Sequence, residues 1–151
     1  MAHAASVVQF QCADLQPAQR AALVLAKPEA VLVDAALGER KPSDGFPHGF
    51  PKGQPPPTLL GATLRIAAPH GATAAWLQRE LECHQSEVVL GRVRLTDNDP
   101  YAIPNDWLDI AVTEQGNGFV VETRAASRSA AEAALERAMR FQAAQQAFQP
   151  P

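Results

Sequence analysis

No stretch of this chain approaches the ~18 consecutive apolar residues from which a transmembrane helix is read, so no membrane-spanning segment is expected. Aromatic side chains are scarce, at 6%, and the apolar share of 46% leans on alanine. Alanine lets helices pack closely but removes little apolar surface from water, so modest stability is expected. A basic surplus is missing too: 13 Lys and Arg stand against 16 Asp and Glu, for a net charge of −3. Binding to nucleic acid needs clustered cations that displace counterions from phosphates, and the cations here are scattered among acids. Nucleic acid is therefore excluded as an expected partner.

Cysteine is nearly absent. Cys12 and Cys83 permit one disulfide but cannot by themselves make a zinc site. The opening Met1-Ala2-His3-Ala4-Ala5 lacks the charged and apolar regions of a signal peptide. Two expectations follow, a cytoplasmic protein or an exported one read without its signal. Motifs of catalysis are missing as well, with no nucleophile elbow, no glycine-rich phosphate loop and no His-Glu-x-x-His. The reading leans away from an enzyme.

What is present fits one domain, since 151 residues is the usual size of a single core. Residues 6–40 form an N-terminal segment in which Pro17 can open a short helix from Ala18 to Ala26 that Pro28 stops. Ala30 to Leu37 reads as a strand on its β-branched start, with a second helix as the alternative. Residues 38–57 form a Pro/Gly-rich loop, with proline at 42, 47, 51, 55, 56 and 57, a density that neither a helix nor a central strand tolerates. Within it the tandem Gly45-Phe46-Pro47-His48 and Gly49-Phe50-Pro51-Lys52 reads as a loop tacked down by its phenylalanines, or as a docking motif.

Residues 58–147 carry the clearer pattern. Leu60, Ala62, Leu64 and Ile66 alternate with polar or small neighbours, the period of a half-buried strand. Thr73 can cap a helix from Ala74 to Leu90 that Gly91 terminates, with Leu77, Leu81, His84 and Val88 on one stripe facing the sheet. Leu108, Ile110 and Val112, then Phe119, Val121 and Thr123 across Gly116-Asn117, predict a hairpin. Ser129 with Glu132 reads as a capping box opening a last helix, whose inner side would hold Ala131, Leu135, Ala138, Met139 and Gln142. The predicted fold class is α+β: a two-layer sandwich with a β-α-β-β-α core, ferredoxin-like minus a strand that residues 30–37 could supply.

From about Thr58 to Phe141 the chain resembles a family of small, exported, mostly proteobacterial proteins with no established activity. The residues that carry the likeness are Leu60-Gly61-Ala62, Thr73 to Arg79, Cys83-His84, Leu90-Gly91, Asp99-Pro100-Tyr101 with Pro104, Trp107 to Ile110, and Gly118 to Val121. The resemblance implies a periplasmic or extracellular home. In an exported chain Cys12 and Cys83 would be bridged, which would constrain the N-terminal segment by about 2–4 kcal/mol.

Cys83-His84 is the main chemical lead. A thiolate and an imidazole suit copper, zinc or haem iron. Neighbours on a helix point about 100° apart, so the two do not readily share one ion. A metal or haem site would draw on His84 or Cys83 with His70 or His48. The plainer reading is a buried, hydrogen-bonded histidine beside a core or disulfide-bonded cysteine. His3 would join a terminal copper chelate only if Met1 were retained. Asp97, Asn98, Asp99, Asn105 and Asp106 offer hard oxygens of the kind calcium takes, without the glycine and distal glutamate of an EF-hand, and a capped turn is the plainer reading. The leading functional expectation is a non-enzymatic binding or interaction protein of the bacterial envelope, its partner a protein or small molecule. A homodimer through a sheet edge fits the same reading.

Overall fold

A computed structural model describes residues 2–12, 31–33, 58–67 and 71–147. The helix expected from Ala18 to Ala26, the loop of residues 38–57 with its Phe/Pro tandem and His48, and His70 lie outside the described residues. The described elements are α1 (Ala2–Gln11), β1 (Val31–Val33), β2 (Gly61–Ala67), α2 (Ala74–Val89), β3 (Leu108–Gln115), β4 (Gly118–Ala125) and α3 (Arg128–Ala147). The class is α+β. All neighbouring strands are antiparallel, in the order β1-β2-β4-β3. β2 and β3 therefore run parallel with β4 between them, and α2 makes the crossover.

Period-two alternation sorts the strands into faces. Ala62, Leu64 and Ile66 of β2, Leu108, Ile110 and Val112 of β3, and Phe119, Val121 and Thr123 of β4 are buried, whereas Arg65, Asp109, Ala111, Thr113 and Arg124 are exposed. α2 packs over β3, α3 packs over β2, β4 and β1, and α1 lies against α2. The core is thus built from one sheet face, the two helices on it, and Tyr101 and Ile103 from the connection between α2 and β3.

Most of the predicted elements are found, and the departures have physical reasons. Thr73 caps α2 as expected, its hydroxyl accepting from Trp76 N–H at 3.1 Å, and Gly91 takes the positive φ of 74° that ends it. The strand expected within 30–37 is three residues long and pairs with β2, Val31 opposite Ile66. Helix α1 was not foreseen. The cap of α3 falls two residues earlier than the capping-box pattern placed it: Ser127, not Ser129, accepts from the Ala130 N–H at 3.2 Å, while Glu132 pairs with Arg128 at 3.0 Å. The inner face of α3 is correspondingly rotated, with Ala130, Ala131, Ala134, Arg137 and Ala138 buried and Met139 57% exposed. Alanine lets that face sit close to the sheet, and an exposed methionine costs little at a surface that is mostly apolar in any folded protein.

Candidate functional site

Helix α2 has two working faces, which is why a single stripe does not describe it. Toward the sheet it sends Leu77, Leu81 and two glutamines. Gln85 donates through Nε2 to the Leu108 carbonyl at 2.8 Å and accepts from the Leu108 N–H at 2.7 Å. Gln78 accepts from the Val112 N–H at 3.1 Å. β3 is the last strand of the sheet among the described residues, so these amides satisfy outward backbone groups that have no strand partner there. Toward α1 the same helix sends Cys83, which is bonded to Cys12 with the Cα atoms 5.5 Å apart.

His84 points instead at the connection that follows. Its Nε2 lies 2.5 Å from Asp99 Oδ2, with the two side chains only 9% and 8% exposed. An ionised carboxylate offers only lone pairs, so the imidazole form that fits carries its proton on Nε2. The second carboxylate oxygen accepts from the Tyr101 N–H at 2.9 Å, closing an Asx turn. From the other side Arg137 of α3, also buried, donates through Nε to the Asp99 carbonyl at 2.9 Å and through Nη2 to the Thr96 carbonyl. Helices α2 and α3 thereby grip one short segment between them. Tyr101 is held in the core beside it, its ring 6.2 Å from that of Phe141 in an edge contact. Burial, and secondarily the Asp99 charge, raise the Tyr101 phenol well above its ordinary pKa.

A histidine oriented by a buried carboxylate supplies two of the three members of a catalytic triad, the third being a nucleophile. The Ser86 hydroxyl is turned back to the Glu82 carbonyl at 2.8 Å, and Cys83 is spent in the disulfide. The bonds of His84 and Arg137 tie α2 and α3 to the segment between α2 and β3.

Of the expected metal ligands, the structure therefore separates Cys83, bonded to Cys12, from His84, bonded to Asp99. Among the described residues one group of three donors is close enough to share an ion: Cys12, Cys83 and Glu87, whose ligand atoms lie within 4.8 Å of one another. Among the described residues, no group of three His, Cys, Asp or Glu donors close enough to share an ion includes Asp97, Asp99 or Asp106. Asp106 instead accepts from the Trp107 N–H at 2.8 Å, and Asn105 adopts the left-handed φ of 58° typical of a turn. The sequence reading missed Arg137, Gln85 and Glu87. Arg137 falls on the same spacing as Ala130, Ala134 and Ala138, but the carbonyls that hold it belong to another segment; Glu87 stands one turn after Cys83. Among the described residues, no helix is long and apolar enough to cross a membrane.

No protein-family model, curated protein or solved structure matches the chain.

Proposed function

We propose that this chain is a small non-enzymatic binding protein of the bacterial envelope, and that the exposed face of its sheet is the recognition surface. The Cys12–Cys83 disulfide carries the reading. Disulfides persist in oxidising compartments and are uncommon in the cytosol, and the resemblance to exported proteins points the same way. The disulfide also withdraws the thiol that was the strongest chemical lead, leaving His84, Asp99 and Arg137 engaged in holding the fold. The proposal extends to topology: with β1 beside β2, the strand order is that of a ferredoxin-like sheet whose fourth strand comes from before the core instead of after it.

The exposed face mixes Arg65 and Arg124 with Asp109 and the partly buried Glu122, a pattern that suits a protein partner of mixed charge better than a polyanion. A photo-crosslinking residue at Thr113, on that face, is expected to capture an envelope component in native cells. The same residue at Met139, exposed on α3, is expected not to. Equal capture at both positions, or none at Thr113, would contradict the reading. Metal handling is the second reading, favoured by the convergence of Cys12, Cys83 and Glu87.

A further inference from the structure

Cys12 directly follows α1 and meets Cys83 in the middle of α2, and Glu87 stands one turn beyond Cys83 on the same side of that helix. The two sulfurs and a Glu87 carboxylate oxygen lie within 4.8 Å of one another. Cys12 and Cys83 are 5% and 0% exposed, and the Glu87 side chain 13%, so the group is sheltered and its carboxylate is the most exposed of the three. We propose that reduction of the disulfide turns Cys12, Cys83 and Glu87 into a binding site for one divalent transition-metal ion of the zinc type. The ligand set differs from the one expected from sequence, keeping Cys83 and replacing His84, His70 and His48 with Cys12 and Glu87.

The chemistry balances. A dithiol reductant transfers two electrons and two protons to the S–S bond and leaves as its own disulfide. The ion then displaces the two thiol protons to water and gains two metal–sulfur bonds and one metal–oxygen bond. Zn–S bonds of about 2.3 Å in a tetrahedron set the sulfurs about 3.8 Å apart, a separation that two residues with Cα atoms 5.5 Å apart accommodate. Two thiolates and a carboxylate overcompensate a divalent charge by one, and Arg92, 3.6 Å from Glu87 Oε2, offsets it. Thiolate and carboxylate donors with one vertex left for water match zinc's ordinary coordination. The contact between α1 and α2 is then held in either of two exclusive ways, by the disulfide or by the ion. The inference needs only these three side chains and does not depend on the envelope reading.

The test uses the full chain, reduced with a phosphine under anaerobic conditions and titrated with cobalt(II) alone. An intense thiolate-to-cobalt charge-transfer band is expected, saturating at one ion per chain, with none from the oxidised protein. Cys12→Ser is expected to abolish the two-thiolate band, and Glu87→Ala to weaken binding on the order of 10–100-fold. Glu82→Ala, on the same helix but hydrogen-bonded to Gln78, is expected to bind as wild type does. Absence of the band in reduced wild type, or a Glu87→Ala affinity equal to wild type, would overturn the proposal. Should reduction unfold the chain, far-UV circular dichroism decides: the ion is expected to restore helix in wild type but less in Glu87→Ala, and failure to restore it overturns the site.

Discussion

Gln85 does for the first residue of β3 what a neighbouring strand would do, offering one donor and one acceptor to Leu108 in the depth of the core. Replacing it with leucine keeps the volume and strands both backbone groups, each costing about 1–3 kcal/mol when buried and unpaired. Gln85→Leu is expected to lose about 2–4 kcal/mol in urea unfolding, against about 1 kcal/mol for Gln78→Leu, which strands one partly buried group. Tyr101 gives a second prediction at this scale. Its folded pKa is raised by burial and by Asp99, so the fold favours the neutral phenol. Stability from this residue is complete below the unfolded value of about 10 and falls as pH rises beyond it. Tyr101 is the only tyrosine, so ultraviolet absorption reads it directly. Tyrosinate is expected to form only as the chain unfolds; a smooth titration of the folded protein near pH 10 would contradict its burial.

Among elements, the glycines of β2 and β4 lie against the partner strand's backbone. A Cβ on Gly61 would run into the Thr123 carbonyl oxygen, and Gly61 holds a φ of 157° that other residues rarely adopt. Gly61→Ala is expected to destabilise by about 2–4 kcal/mol, read from the thermal midpoint, with the shift confined to the β2–β4 pairing in hydrogen exchange. The strands were legible because a half-buried antiparallel sheet writes its two faces into the sequence at period two, as in Leu108 to Thr113. Thr73 and Gly91 were legible because helix ends have their own chemistry. α1 was not, since Ala2–Gln11 carries no marked amphipathic stripe and is held by a tertiary contact with α2. The inner face of α3 was misjudged for a related reason: Arg137 lies inside because two carbonyls of the α2–β3 connection await its guanidinium, and nothing local to residues 128–147 announces them. His84 was expected on the stripe facing the sheet, and it turns instead to Asp99, 15 residues on, a long-range fact.

Across the whole molecule, the disulfide closes a loop of 71 residues and is the covalent tie between the N-terminal helix and the core. Removing loop-closure entropy of that length from the unfolded chain is worth about 4 kcal/mol on the chain-entropy model. Reduction in the presence of a chelator is expected to lower stability by that order, and to expose the amides of α1 to exchange before those of β4, which is paired on both sides. The same bond joins the two readings of function, because it is consistent with an oxidising compartment and withholds Cys12 and Cys83 from metals. The most direct measurement is a thiol count on the protein taken from its native cells, alkylated at lysis, then denatured without reductant. No free thiol per chain is expected, with two liberated on reduction. Two alkylated cysteines at lysis would contradict the oxidised, envelope-resident protein proposed here.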